Sequence, residues 1–127
     1  MARAYLLLVG LVFFGLGLWF LIKPEAVGEF AGLRAESADA RTEIRAFFGG
    51  LEIGIGAFLC GCALRRRHLD TGLWATAWFL GCTGLARLAG ILMHGRDDWD
   101  MPAFAAAEIL AAAAALALVG RQEPAAA

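Results

Sequence analysis

Four long apolar stretches, separated by clusters of charged residues, dominate the hydrophobic pattern of this chain. They run over residues 4–22, 44–64, 71–93 and 102–120. Each is close to the ~20 residues that a helix needs to cross the ~30 Å hydrocarbon core of a bilayer. The pattern therefore predicts an all-α fold: an integral membrane four-helix bundle in which neighbouring helices are antiparallel.

The composition agrees with a membrane protein. Of the 127 residues, 61% are hydrophobic and 18% are charged, compared with ~45–50% and ~25% in soluble domains. The net charge is -1, and the one basic cluster is short, so we predict no nucleic-acid partner. Such an apolar chain also does not suit a disordered protein. We interpret residues 1–127 as a single transmembrane domain without linkers.

The connections between the spans predict the orientation in the membrane. The positive-inside rule counts Lys and Arg near the ends of spans, and Arg65, Arg66 and Arg67 share one very short connection. Both termini are therefore predicted to be cytoplasmic, which places the long connection over residues 23–43 outside. Pro24 suits the first turn of a short interfacial helix in that connection, and a solvated acidic loop fits the pattern equally well.

The cysteines do not form a recognisable metal or redox motif. Cys60, Cys62 and Cys82 make no C-x-x-C pair. Positions two apart on a helix point about 200° apart, so Cys60 and Cys62 do not hold one metal together. We interpret all three as small packing residues and predict neither a metal nor a cofactor.

Four ionisable residues fall inside the predicted spans. Since an isolated charge at a helix centre costs roughly 2.5–3.5 kcal/mol on insertion scales, these residues must be paired, hydrated or close to a membrane face. At 1.5 Å per residue, Glu52, Arg87 and Glu108 lie at a common depth, about 9–10 Å below the outer surface. We therefore expect a pocket in the outer half of the bundle, with Arg87 between the two glutamates and with Arg45 and His94 nearer its mouth.

Two interpretations of this buried cluster stay open. Arg87 fastens three helices together through charge-assisted hydrogen bonds, or the cluster binds a ligand. In the second interpretation no residue is assigned a catalytic role. The predicted ligand-binding residues are Arg45, Glu52, Arg87, His94 and Glu108.

Two sequence stretches carry a resemblance to a known family. R-A-F-F-G-G-L-E-I-G-I-G at residues 45–56 and G-L-A-R-L-A-G-I-L at residues 84–92 resemble the bacterial family known as domain of unknown function 4345. The resemblance extends over most of the chain. It implies a small four-helix protein of the bacterial cytoplasmic (inner) membrane, and it implies no activity, cofactor or substrate. A looser similarity to DoxX-like four-helix proteins implies a redox-associated role by fold analogy alone.

The family pattern includes some of the candidate residues and not others. It extends to the E-I-R-A of residues 43–46 and to Glu108, so the resemblance supports Arg45, Glu52 and Arg87 as important positions. At His94 the chain departs from the family, which more often has an acidic residue before a glycine there. The resemblance therefore does not include His94 among the family's positions.

Three functions compete on this pattern. The first is a non-enzymatic protein that binds a small amphipathic or lipid-like ligand, with Arg87 and Arg45 meeting an anionic head group. The second is an acid-base enzyme for a lipid or isoprenoid, with Glu52 or Glu108 as proton donor and His94 as relay. The third, a proton-coupled exporter, fits least because the first predicted span contains no acidic residue. The predicted partners are the lipid bilayer and a second copy or another membrane protein.

Overall fold

Helices form nearly all of the chain that the computed structural model describes, namely residues 1–95, 99–119 and 121 without the side chain of Phe30. No strand occurs among these residues. The α-helices, in chain order, are α1 (Ala2–Ile22), α2 (Val27–Ala31), α3 (Ala38–Ile44), α4 (Glu52–Leu64), α5 (Leu69–His94) and α6 (Asp100–Val119).

Four helical stretches are long and apolar enough to cross a membrane. They are Ala2–Ile22, Ala38–Leu64, Arg66–His94 and Asp100–Val119, and between 17% and 28% of the most apolar window of each is buried inside the protein. Most of the apolar surface therefore faces outward, as it does in a protein surrounded by lipid. The predicted all-α membrane fold is confirmed. Each predicted span lies within one stretch, except for Gly120, which is outside the described residues.

The second spanning stretch begins earlier than the apolar pattern indicates. Ser37 caps α3, because its Oγ accepts a hydrogen bond of 3.0 Å from the Ala40 backbone N–H. The helix then widens into π-helical turns over Arg45–Leu51, which end directly before Glu52. A π-helix has i→i+5 hydrogen bonds and therefore more residues per turn. Side chains on either side of this segment lose the angular alignment that a continuous α-helix gives them.

The long connection over residues 23–43 contains the short helix that was one of the two alternatives. A single 3₁₀ turn over Pro24–Ala26 leads into α2, which ends at Gly32 with a left-handed φ of 66°. This backbone conformation favours glycine and stops the helix. Beneath the turn lies a small buried cluster made of Phe20, Ala26, Val27 and Ile44. The connection is thereby packed onto the adjoining ends of α1 and α3.

The helices pack as two pairs. α1 packs mainly against the π-helical segment and α4, and α5 packs mainly against α6, whereas the contacts between the two pairs are sparser. The pairs meet around Leu6, Leu59 and Leu73, which are fully buried at the end of the bundle that holds the N-terminus. A hydrogen bond of 2.6 Å from the Tyr5 hydroxyl to the Ala111 carbonyl also joins them.

Candidate functional site

Arg87 of α5 and Glu108 of α6 form a bidentate ion pair. Nη2 of Arg87 donates to Oε1 of Glu108 at 2.9 Å, and Nε donates to Oε2 at 3.1 Å. Nη1 lies 3.3 Å from the sulfur of Met101, and the guanidinium carbon lies 5.6 Å from the centre of the Phe104 ring. This geometry gives a strong charge-assisted contact with a cation–π contribution. The pair therefore fastens α5 to α6.

Glu52 does not belong to this ion pair. No ion pair joins Glu52 to Arg87, and Oε2 of Glu52 is buried without a hydrogen-bond partner among the described residues. The residue as a whole has intermediate exposure, although this oxygen is shielded. The prediction that Arg87 lies between the two glutamates is wrong. The physical reason is that α5 packs closely on α6 and only loosely on α4.

Arg45 has a different role from the predicted one at the mouth of a pocket. It is exposed, and its Nε donates a hydrogen bond of 3.1 Å to the carbonyl of Leu21, in the last turn of α1. The last carbonyls of a helix lack partners within the helix, and Arg45 supplies one. The π-helical turns that begin at Arg45 explain why its seven-residue spacing does not align it with Glu52.

The predicted burial of the charged cluster is also not observed. The side chains of Arg87 and Glu108 are 28% and 17% exposed. Glu52 has intermediate exposure, and Arg45 and His94 are exposed, the latter in the last turn of α5. The charged groups therefore lie at partly open helix interfaces, and the role of each in binding a ligand stays a prediction.

Two surface grooves occur at other places. One, of about 220 Å³, lies beside Trp74, Trp78 and Leu116 on α5 and α6. The other, of about 550 Å³, lies between α4 and α5 near Arg65 and His68. Neither groove includes a residue of the predicted site. Within the described part of the chain, no three His, Cys, Asp or Glu side chains come together as metal ligands.

Both glutamates lie against a glycine of the neighbouring helix. A Cβ atom placed on Gly17 of α1 would lie 3.0 Å from Cβ of Glu52, and one placed on Gly84 of α5 would lie 3.1 Å from Cβ of Glu108. Carbon atoms in ordinary contact are ~3.5–4.0 Å apart. A Cβ at either position would push the neighbouring helix away, so the glycines allow these close approaches, which place both glutamates at helix interfaces.

The two helix pairs share one packing register. Gly49 and Ala105 each precede a glutamate by three residues. The Gly49 carbonyl oxygen would lie 2.7 Å from a Cβ on Gly17. In the other pair, the Ala105 carbonyl oxygen would lie 3.2 Å from a Cβ on Gly84. The sequence F-G-G-L-E-I at residues 48–53 corresponds to F-A-A-A-E-I at residues 104–109. Buried, half-buried and exposed positions follow in the same order over residues 47–59 and 103–115. The α1–α4 and α5–α6 pairs thus share a packing pattern around these two glutamates.

Phe20 of α1 and Arg87 of α5 have the same position relative to the packing glycines. Each residue follows the packing glycine of its helix by three positions. The Phe20 ring lies 6.1 Å from the ring of Phe48, and the Arg87 guanidinium lies 5.6 Å from the ring of Phe104. By this register, α1 carries an aromatic residue at the position where α5 carries the cation that pairs with Glu108. Sequence reasoning missed Phe20, and aligning the spans with one another is the signal that finds it.

The comparisons with known proteins identify a family. No curated protein and no solved structure matches the chain. A family model described as a domain of unknown function, DUF4345, matches residues 1–119. The match extends over all four membrane-spanning stretches and confirms the family that the sequence resembles. The chain belongs to the DUF4345 family.

Proposed function

We propose that this protein binds a small amphipathic or lipid-like ligand in the outer half of the bundle, with Glu52 meeting the polar head of the ligand. In this proposal the protein lies in the bacterial cytoplasmic membrane with both termini in the cytoplasm. The basic residues Arg65, Arg66 and Arg67 support this orientation, since all three are exposed in the short connection before α5. Glu52 then lies toward the outer surface.

The observation that carries this proposal is the unpartnered carboxylate oxygen of Glu52. Oε2 is shielded from the surroundings and accepts no hydrogen bond within the described residues. A buried polar atom without a partner costs about 1–3 kcal/mol, and a charge at membrane depth costs more. The polar head of a bound amphiphile satisfies this oxygen while its tail lies along the apolar helices.

Arg87 is less suited to the role of ligand-binding residue. Both oxygens of Glu108 and the Met101 sulfur engage its nitrogens, and the Phe104 ring covers the guanidinium. The alternative function, a purely structural ion pair, is therefore favoured for the α5–α6 pair. We assign the pairing of α5 and α6 to Arg87 and Glu108, and ligand contact to Glu52.

The geometry gives less support to an acid-base enzyme. Such chemistry needs two carboxylates in different environments. The second carboxylate, Glu108, has both oxygens engaged by Arg87. His94, the predicted proton relay, is exposed at the end of α5.

Native mass spectrometry of protein released from membranes or nanodiscs tests the proposed function. Wild-type protein is expected to retain a bound amphiphile as a discrete mass increment, and Glu52→Leu is expected to lose it. Glu43→Gln is a matched control, because Glu43 is an exposed glutamate on the same spanning stretch. Equal retention by wild type and Glu52→Leu, or no retained molecule in any native-lipid preparation, contradicts the proposal.

A further inference from the structure

The larger groove lies on the seam between the two helix pairs, at the end of the bundle that holds the N-terminus. Its volume of about 550 Å³ is within the ~300–1,000 Å³ of pockets that bind small molecules. α4 contacts α5 only sparsely, because each packs mainly on the partner of its own pair. The two helices do touch at Gly72, where an added Cβ would lie 2.8 Å from Cβ of Cys62. The buried Cys62 forms the floor of the groove, which is the open side of this seam.

The lining of the groove changes from apolar to cationic along α4. Phe58, Gly61, Leu64 and Arg65 line it in this order. The seven positions from Phe58 to Arg65 rise by about 10 Å along a helix. Phe58 and Leu64 are exposed and belong to the membrane-spanning stretch that ends at Leu64, and Arg65 follows directly. The apolar part of the groove therefore lies at the depth of acyl chains, and the cationic part lies at the depth of head groups.

Gly61 keeps the apolar part of the groove open. A Cβ placed on Gly61 would meet nothing within 4 Å. At Gly17 and Gly84, by contrast, the neighbouring helix fills the space beside the glycine. The missing side chain of Gly61 therefore leaves a slot between Phe58 and Leu64. An acyl chain lying in this slot gains van der Waals contacts with both side chains.

The mouth of the groove carries cations that have no acidic partner. Within the described residues, neither Arg65 nor Arg67 takes part in an ion pair. Nε of Arg67 donates a hydrogen bond of 3.0 Å to Nε2 of His68, which itself lines the groove. A second guanidinium is thereby held beside the mouth. Asp70, the acidic residue in the first turn of α5, does not line the groove. The mouth therefore keeps positive charge that an anion can neutralise.

We propose that this groove binds an anionic phospholipid, with its phosphate at Arg65 and the Arg67–His68 pair and one acyl chain in the slot beside Gly61. A guanidinium matches the geometry of a phosphate and binds it through charge-assisted hydrogen bonds. Basic pockets between membrane-spanning helices bind anionic lipid head groups. The site goes beyond the proposed function and does not depend on it, because Arg65 follows Glu52 by thirteen positions, about 20 Å along a helix.

The head group is tested by native mass spectrometry of the purified full-length protein in detergent. The probes are dioleoyl phosphatidylglycerol and dioleoyl phosphatidylcholine, which have the same chains and differ in the charge of the head. We expect Arg65→Gln to bind phosphatidylglycerol about fivefold more weakly than wild type does, with phosphatidylcholine binding unchanged. Arg66→Gln is the matched control, because Arg66 is an exposed arginine that does not line the groove. Equal losses in the two variants show only a general attraction of basic residues and overturn the proposal.

The slot for the acyl chain is tested by Gly61→Leu. The added side chain enters open space, so it fills the slot without pushing the helices apart. This variant is expected to unfold at the same temperature as wild type or higher and to lose phosphatidylglycerol binding. Gly54→Leu is the matched control, since Gly54 is on the same helix, also has open space beside it and does not line the groove.

Two results would show that the chain does not lie in the groove. One is equal phosphatidylglycerol binding by Gly61→Leu and Gly54→Leu. The other is displacement of phosphatidylglycerol by glycerol phosphate, which has the anionic head without chains. Either result overturns the proposal.

Glu52→Leu separates this site from the proposed function. It is expected to bind phosphatidylglycerol as wild type does. Loss of phosphatidylglycerol binding in Glu52→Leu but not in Arg65→Gln overturns this inference and leaves the proposed function standing. Loss in Arg65→Gln and Gly61→Leu, but not in Glu52→Leu, supports the inference whether or not an amphiphile is found at Glu52.

Discussion

Arg87 and Glu108 join α5 to α6 through two hydrogen bonds, of 3.1 and 2.9 Å, between one guanidinium and one carboxylate. Each side chain is mostly shielded, with 28% and 17% exposure. Removing one partner leaves the other charge unpaired at the helix interface. An unpaired, shielded charge strongly lowers the stability of a protein. This relationship yields the first prediction.

We expect Glu108→Gln and Arg87→Met each to lower the free energy of unfolding by about 1–3 kcal/mol. The double variant should be destabilised by less than the sum of the two, with a coupling of at least about 1 kcal/mol. The measurement is unfolding of the detergent-solubilised protein, followed by circular dichroism. The exposed pair Arg34–Glu36, with 84% and 75% exposure, is the control, and Glu36→Gln should change stability by less than about 0.5 kcal/mol. Additive effects at positions 87 and 108 would show that the pair is energetically unimportant.

The glycines of α1 give a second prediction with an internal control. A Cβ on Gly17 would lie 2.7 Å from the Gly49 carbonyl oxygen and 2.7 Å from the Ile53 backbone nitrogen, whereas a Cβ on Gly15 meets nothing within 4 Å. Backbone atoms cannot move aside unless α1 separates from α4. Gly17→Ala should therefore destabilise the protein by about 1–3 kcal/mol.

Gly15→Ala should instead stabilise α1 by about 0.5–1 kcal/mol, because alanine loses less backbone entropy than glycine when the helix forms. The two substitutions add the same methyl group to the same helix, so helix propensity affects both alike. Equal stabilities of Gly17→Ala and Gly15→Ala would contradict the close approach of α1 and α4 at Gly17. The measurement is again unfolding of the detergent-solubilised protein, followed by circular dichroism.

Tyr5 tests the contact between the two helix pairs. Its hydroxyl donates a hydrogen bond of 2.6 Å to the Ala111 carbonyl of α6. Tyr5→Phe should lower the free energy of unfolding by about 1 kcal/mol, the usual net value of one such bond. Thr83→Val is a control, because the Thr83 hydroxyl bonds to Phe79 within its own helix and is exposed. A larger loss from Thr83→Val than from Tyr5→Phe would contradict a stabilising contact between the pairs.

The proposed orientation is tested by cysteine labelling. In a background with Cys60, Cys62 and Cys82 replaced by alanine, single cysteines are placed at Glu36 and Arg66, which are both exposed. A membrane-impermeant maleimide added to intact cells should label position 36 at once and position 66 only after the membrane is opened. The reverse labelling would place the termini outside and overturn the orientation derived from the positive-inside rule.

The sequence by itself determined which parts of the chain cross the membrane. A bilayer demands a continuous run of about 20 apolar residues, and this property is visible along one dimension of the chain. It also determined that Arg87 and Glu108 lie at the same depth, because the rise per residue of a helix is constant. Their ion pair confirms that part of the prediction. The short interfacial helix at Pro24 was one of two alternatives that the sequence left open.

Only the tertiary structure decided which of these groups meet. The depth of a residue in the membrane does not specify the helix face on which its side chain lies. The π-helical turns over Arg45–Leu51 place Arg45 on a different face from Glu52. Nor does depth specify which helices pack closely. Backbone contacts at Gly17 and Gly84 create two pairs, and Arg87 meets the glutamate of its own pair. Oε2 of Glu52 is left without a hydrogen-bond partner among the described residues. Which helices pair depends on how their surfaces fit together, and the sequence of a single span does not specify this.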